Sequence, residues 1–152
     1  MKKMQNGFTL VELMIVSGIL AVVIVGMLRL YIYTSVLAKM AENKSVAMGE
    51  VQTKLEQIRN ATYNNIASTY GTSPGNKFDL SGLTGKGAIY VDSSNPDLLE
   101  VEIVACWRDK YGRIVGEDTN LNGILEVGED LNSDGKITSI VQVKGMIARR
   151  YD

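Results

Sequence analysis

Between Glu117 and Glu129 the chain sets out oxygen-bearing side chains at the spacing of a calcium-binding loop. Such a loop takes Asp at its first position, Asp or Asn at the third and fifth, Gly at the sixth and Glu at the twelfth. Asp118, Asn120, Asn122, Gly123 and Glu129 hold those places in order. Ile124 would give the main-chain carbonyl of the seventh position, and Glu126 would serve the ninth, directly or through water. The aliphatic Leu125 stands eighth. A tight turn must point alternate oxygens inward, and Gly123, lacking a side chain, lets the chain reverse there. A second copy starts at once with Asp130, Asn132, Asp134 and Gly135, but its twelfth position is Val141, which has no side-chain oxygen. Three readings stay open for this half-motif. It lends oxygens to the first ion, holds a weaker second ion, or is a turn into the next strand, since Asp and Asn also crowd turns for local backbone reasons. The cofactor expected is structural calcium, in a loop over 118–134. Outside the cytoplasm, where calcium modules bind at about 10⁻⁴–10⁻³ M, such a site stays filled and acts as a staple.

The other group placed for chemistry is Glu12. It sits just inside an apolar run that reaches Leu28, and Phe8 to Leu28 is 21 residues with one charge. At about 1.5 Å per residue such a helix spans roughly 31 Å, the thickness of a hydrocarbon core. A carboxylate there is expensive and marks function by default. Lys2 and Lys3 precede the run and predict a cytoplasmic N-terminus. A secretory signal peptide would show a shorter apolar region and a small-x-small cleavage site, and Met27-Leu28-Arg29-Leu30-Tyr31 offers none. A plain single-pass anchor explains the length but not Glu12.

The stretch Gly7-Phe8-Thr9-Leu10-Val11-Glu12 behind a basic leader resembles the prepilin signal of type IV pilins and type II secretion pseudopilins. The resemblance implies that a prepilin peptidase cuts between Gly7 and Phe8, removing residues 1–7, and that Phe8 is then methylated. It implies that Glu12 meets the Phe8 amine of a neighbouring subunit and fixes register during assembly, each charge offsetting the other's desolvation. The partners implied are the peptidase, other pilin or pseudopilin subunits, an inner-membrane assembly platform, and membrane lipid before assembly. The implied location is the inner membrane, single-pass with the head outside the cytoplasm, and then the filament. Arg29 stands where many pilins carry Pro, and the single Cys106 cannot close the disulfide common in major pilins. Both departures lean towards a minor pilin or pseudopilin. The alternative is a membrane-anchored calcium-binding adhesin or sensor that does not polymerise.

Composition narrows the field further. With no His and one Cys, a His-based triad and a His- or Cys-clustered zinc site are excluded. No nucleophile–base pair or phosphate loop is present, so no enzyme is expected. The near balance of 16 Lys and Arg against 17 Asp and Glu argues against binding nucleic acid.

The elements that must carry these groups follow from periodicity. Leu37, Ala41, Met48, Val51, Leu55 and Ile58 recur at helical spacing, while Lys39, Glu42, Asn43, Glu50, Lys54 and Glu56 lie largely off that face. This predicts one helix from about Phe8 to Asn60, membrane-spanning over 8–30 and amphipathic over 31–60, with Gly49 its weak point. The Ser/Thr/Gly-rich stretch from Tyr63 to Gly87 reads as loop, with a short helix near Tyr63 to Tyr70. Three strands are expected, at Ala88 to Val91, Leu98 to Arg108 and Ile137 to Ala148, with Asn95-Pro96-Asp97 turning between the first two. The fold class is α+β: a long N-terminal helix packed on a small antiparallel sheet of three or four strands, the pilin-like ladle, with a globular β head over 61–152. Trp107 and Cys106 are expected in its core.

Overall fold

The computed structural model describes residues 9–73 and 75–150. Gly7 and Phe8, the expected cleavage and methylation positions, lie outside the described residues. Contacts divide the chain into two units, with the boundary between Lys39 and Met40.

Helix α1 runs without interruption over Leu10–Arg59, through Gly18, Gly26 and Gly49. Its first unit contains an 18-residue stretch of mean hydropathy 2.6, none of it buried, that is long and apolar enough to cross a membrane. Side chains such as Ile15, Ile19, Val22 and Leu30 stand more than half exposed around it. A helix that is apolar all round needs an apolar surrounding.

In the second unit the helix buries Asn43, Ala47, Val51, Leu55 and Ile58. The spacing is helical, as expected, but the buried row is shifted. Asn43 and Ala47 take the places assigned to Ala41 and Met48, and Leu37 and Ala41 are exposed. The reason is geometric. A row stepping back by fours from Val51 reaches Ala47 and Asn43. Further along the same row, Gly145 makes room for Leu55: a Cβ there would lie 3.0 Å from a Leu55 methyl.

The sheet has five antiparallel strands, one or two more than expected. They are β1 (Lys77–Asp79), β2 (Gly85–Asn95), β3 (Leu98–Arg108), β4 (Ile114–Val115) and β5 (Gln142–Ala148). β3 is central: β2 pairs along one edge, and β5 and β4 share the other, β5 opposite Leu98 to Val104 and β4 opposite Trp107 and Arg108. β2 and β3 form a hairpin across Pro96 and Asp97, where Asn95 pairs with Leu98. β1 and β4 were not legible because two or three residues carry no period. β5 begins at Gln142 rather than Ile137, because the residues before it belong to the acidic loop. Within the stretch read as loop, α2 (Tyr63–Tyr70) forms as anticipated.

β3 is covered on both faces, which explains its nearly unbroken apolar run. Leu99, Val101, Ile103, Ala105 and Trp107 join the helix residues in one core. On the opposite face Val104 and Cys106 pack with Ala88 and Ile137, and Leu121, Leu125 and Tyr90 close over them. Burial pushes the Cys106 thiol up to about 11. That thiol is therefore an inert core group. Glu102, also on this face and nearly buried, is held by Lys136 at 2.8 Å and Lys144 at 3.3 Å. The pairing with Glu102 raises the Lys136 pKa.

Candidate functional site

The acidic loop lies between β4 and β5, with no helix on either side of it. It forms two turns of the same geometry, twelve residues apart. In the first, Asp118 Oδ1 accepts the Asn122 amide at 3.1 Å and Oδ2 accepts the Gly123 amide at 2.8 Å. Asn120 Oδ1 accepts the same Asn122 amide, and Asn122 Oδ1 accepts that of Ile124. In the second, Asp130 binds the amides of Asp134 and Gly135, Asn132 binds that of Asp134, and Asp134 binds that of Lys136. Every step is repeated. The backbone repeats as well: φ is positive at Leu121 and Ser133, and again at Gly123 and Gly135. Gly123, at φ +74°, could not take a side chain easily, since a Cβ would lie 3.0 Å from Lys77 Cβ.

The glutamates complete the pattern. Glu129, buried at 5% exposure, accepts the Thr119 amide and hydroxyl on Oε1 and the Glu126 amide on Oε2. Those amides are the second and ninth of the first loop. The Thr119 hydroxyl, with these amides, holds the Glu129 carboxyl below its usual range despite burial. Glu117 does the same for the second loop. Its Oε1 accepts the Leu131 amide at 3.2 Å and its Oε2 accepts the Thr138 amide at 2.8 Å, again the second and ninth. The backbone bonds match too, with the Glu117 amide on the Thr138 carbonyl and the Glu129 amide on the Glu126 carbonyl. Each repeat thus contributes the glutamate that closes the other.

Glu117 was given no role on sequence grounds. The signal was present: Glu117-Asp118-x-Asn120-x-Asn122-Gly123 repeats as Glu129-Asp130-x-Asn132-x-Asp134-Gly135. A template read in one direction places the closing glutamate only downstream, at Val141, and misses the one that returns from upstream.

As a place for a cation, the loop offers oxygen donors alone. Asp118 is 1% exposed. Each Asp118 oxygen accepts one amide and retains a further acceptor site, whereas Glu129 Oε1 is filled by the Thr119 amide and hydroxyl. Among the described residues no group of three or more Asp, Glu, Cys or His side chains forms a metal-holding cluster. Here the donors are mixed, with Asn120, Asn122 and Asn132 beside the acids. Glu126 accepts the side-chain amides of Asn120 and Asn122, which orients their oxygens towards the loop backbone. Such an all-oxygen set suits a hard cation of the calcium type. The loop is tied to the sheet through Leu121, Leu125 and Ile137, and through the Tyr90 hydroxyl, which accepts the Ile137 amide at 2.7 Å.

At the other end of the chain, Glu12 lies in the first turn of α1. Its Oε2 accepts the Thr9 amide at 3.0 Å and the Thr9 hydroxyl at 2.9 Å, while Thr9 Oγ1 accepts the Glu12 amide at 3.3 Å. This is a reciprocal capping box. Thr9-x-x-Glu12 spells it in the sequence.

Comparison with known protein families matches residues 2–28 to the prokaryotic N-terminal methylation motif. The motif is the processing signal of the type IV pilin family, so the chain carries a pilin-type N-terminus. No curated protein and no solved structure matches the chain.

Proposed function

We propose that this chain is a structural subunit, a minor pilin or pseudopilin, of a type IV pilus or type II secretion pseudopilus. The observation that carries the reading is the methylation motif over residues 2–28, running into an exposed apolar helix. In this reading a prepilin peptidase cuts between Gly7 and Phe8, Phe8 is methylated, and lipid houses the helix until the inner-membrane assembly platform transfers it to a filament of like subunits. Mass spectrometry of the protein from its native cells is expected to find Phe8, methylated, at the N-terminus; retention of the first seven residues defeats the reading.

Glu12 has two roles to separate in this scheme. As a cap it needs acceptor oxygens, whereas as a partner for a neighbouring Phe8 amine it needs charge. Glu12→Gln keeps the oxygen that accepts the Thr9 bonds and removes the charge. The mutant is expected to be cleaved and inserted but excluded from filaments, and normal filament yield from it rejects the pairing. A non-polymerising adhesin or sensor predicts no difference between the two chains.

We also propose that the acidic loop holds structural calcium. Asp118, Asn120, Asn122, the Ile124 carbonyl, Glu126 and Glu129 would serve one ion. Asp130, Asn132 and Asp134, closed by Glu117, would serve a second. The matching hydrogen-bond pattern of the two turns supports treating them alike. Bound ions would supply positive charge against the six carboxylates between Val115 and Lys136. The chain's own residues order the backbone that presents the oxygens.

A further inference from the structure

In a calcium loop the seventh position gives its main-chain carbonyl and leaves its side chain uncommitted. That residue is Ile124 in the first turn and Lys136 in the second. A lysine beside a cation needs handling, because its ammonium opposes the charge of the ion. The sheet supplies that handling. Lys136 Nζ donates to Glu102 Oε2 at 2.8 Å and sits 5.6 Å from the centre of the Tyr90 ring. Glu102 is nearly buried and also meets Lys144 at 3.3 Å. The Lys136 side chain is thereby committed to the sheet.

Tyr90 and Glu102 are direct partners across β2 and β3. Side chains paired in this way stand on one face. Glu102 takes the ammonium of Lys136, and the Tyr90 hydroxyl accepts the amide of the next residue, Ile137, at 2.7 Å. That amide and the Lys136 carbonyl belong to one peptide unit. A trans peptide is planar, with its N–H and C=O directed to opposite sides. Holding the Ile137 N–H on Tyr90 therefore turns the Lys136 carbonyl away from the hydroxyl. On its other side Lys136 is held as well, its own amide on Asp134 Oδ1 at 2.8 Å.

We propose that Tyr90 is a positioning residue for the second ion, and that the carbonyl it aims, that of Lys136, is the main-chain ligand. The inference rests on the calcium reading and adds to it one ligand and one residue outside the loop. The second turn has the greater need of an outside anchor. Asp118 in the first is 1% exposed, whereas Asn132, Ser133, Asp134 and Gly135 in the second are all exposed. A ligand set fixed beforehand spends less of its binding energy on ordering.

Magnetic resonance of the full-length chain in detergent tests the proposal at the peptide itself. Lys136-Ile137 is the one Lys-Ile step in the chain. Labelling lysine at the carbonyl carbon and isoleucine at nitrogen therefore isolates this peptide. Calcium is expected to move the carbonyl signal. Tyr90→Phe keeps the ring and loses the hydroxyl, and is expected to need about 3- to 10-fold more calcium for the same movement, the effect of one hydrogen bond. Melting in excess chelator is the control. A hydroxyl with a purely structural role lowers that melting temperature and leaves the calcium requirement unchanged, which overturns the proposal. A carbonyl signal that stays still while calcium raises the melting temperature also overturns it, and the calcium reading then stands without this ligand. A chain that answers calcium in neither measurement loses both.

Discussion

At the scale of single residues, the closing glutamates have the sharpest consequences. Glu117→Ala leaves the amides of Leu131 and Thr138 without their buried acceptor. An unsatisfied buried donor costs about 1–3 kcal/mol, so melting of the full-length chain in detergent should fall accordingly, with Glu117→Gln falling less. Glu129 adds a pH dependence. Its folded pKa lies below the normal carboxylate value, held there first by the Thr119 hydroxyl. Its contribution is therefore fully present above the unfolded value, about 4.3, and is lost as pH falls through the folded one. Melting temperatures taken from pH 6 to pH 3 should drop more steeply for the native chain than for Glu129→Gln; parallel curves would show that the carboxylate is not linked to folding. Gly123 belongs beside them, since its positive φ strains any side chain there and a β-carbon would press on Lys77 at 3.0 Å.

At the scale of elements, α1 and β3 show what the sequence could and could not tell. The helix was readable over nearly its whole length because fifty residues hold no proline and a strong apolar run. β3 matched its expected bounds because its alternation was long enough to see. The row of α1 against the sheet was misassigned, since Asn43 and Ala47 are too weakly apolar to outscore Met48 on periodicity. Which row meets the sheet is a matter of tertiary packing that periodicity alone does not state. Glu50 is a further case: its carboxylate takes the amides of Ser81 and Gly82 and the Ser81 hydroxyl, fixing the turn between β1 and β2. Nothing in the spacing announced a bond across thirty residues. The helix–sheet seam makes its own prediction. Leu55, 5% exposed and in contact with Gly145, anchors α1. Leu55→Ala should destabilise the chain by about 2–5 kcal/mol, whereas Leu37→Ala, at an exposed site, should change it little. Equal effects in thermal melts would refute the buried row.

At the scale of the molecule, the pilin-type N-terminus and the loop-bearing sheet answer different needs. The apolar first unit needs an apolar surrounding; the second needs its acidic segment held against self-repulsion. Calcium is expected to raise the melting temperature of the full-length chain and excess chelator to lower it, with Asp118→Asn shrinking the difference. A curve indifferent to chelator would remove the ion from the account. Because Glu117 closes the downstream turn and Glu129 the upstream one, the segment behaves as a clasp with two interlocked jaws. Damage to either jaw should loosen both, and titration of the segment should show a Hill slope above one instead of two separate steps. A clasp of that kind opens in a single event, so proteases should meet this stretch either fully shut or fully open.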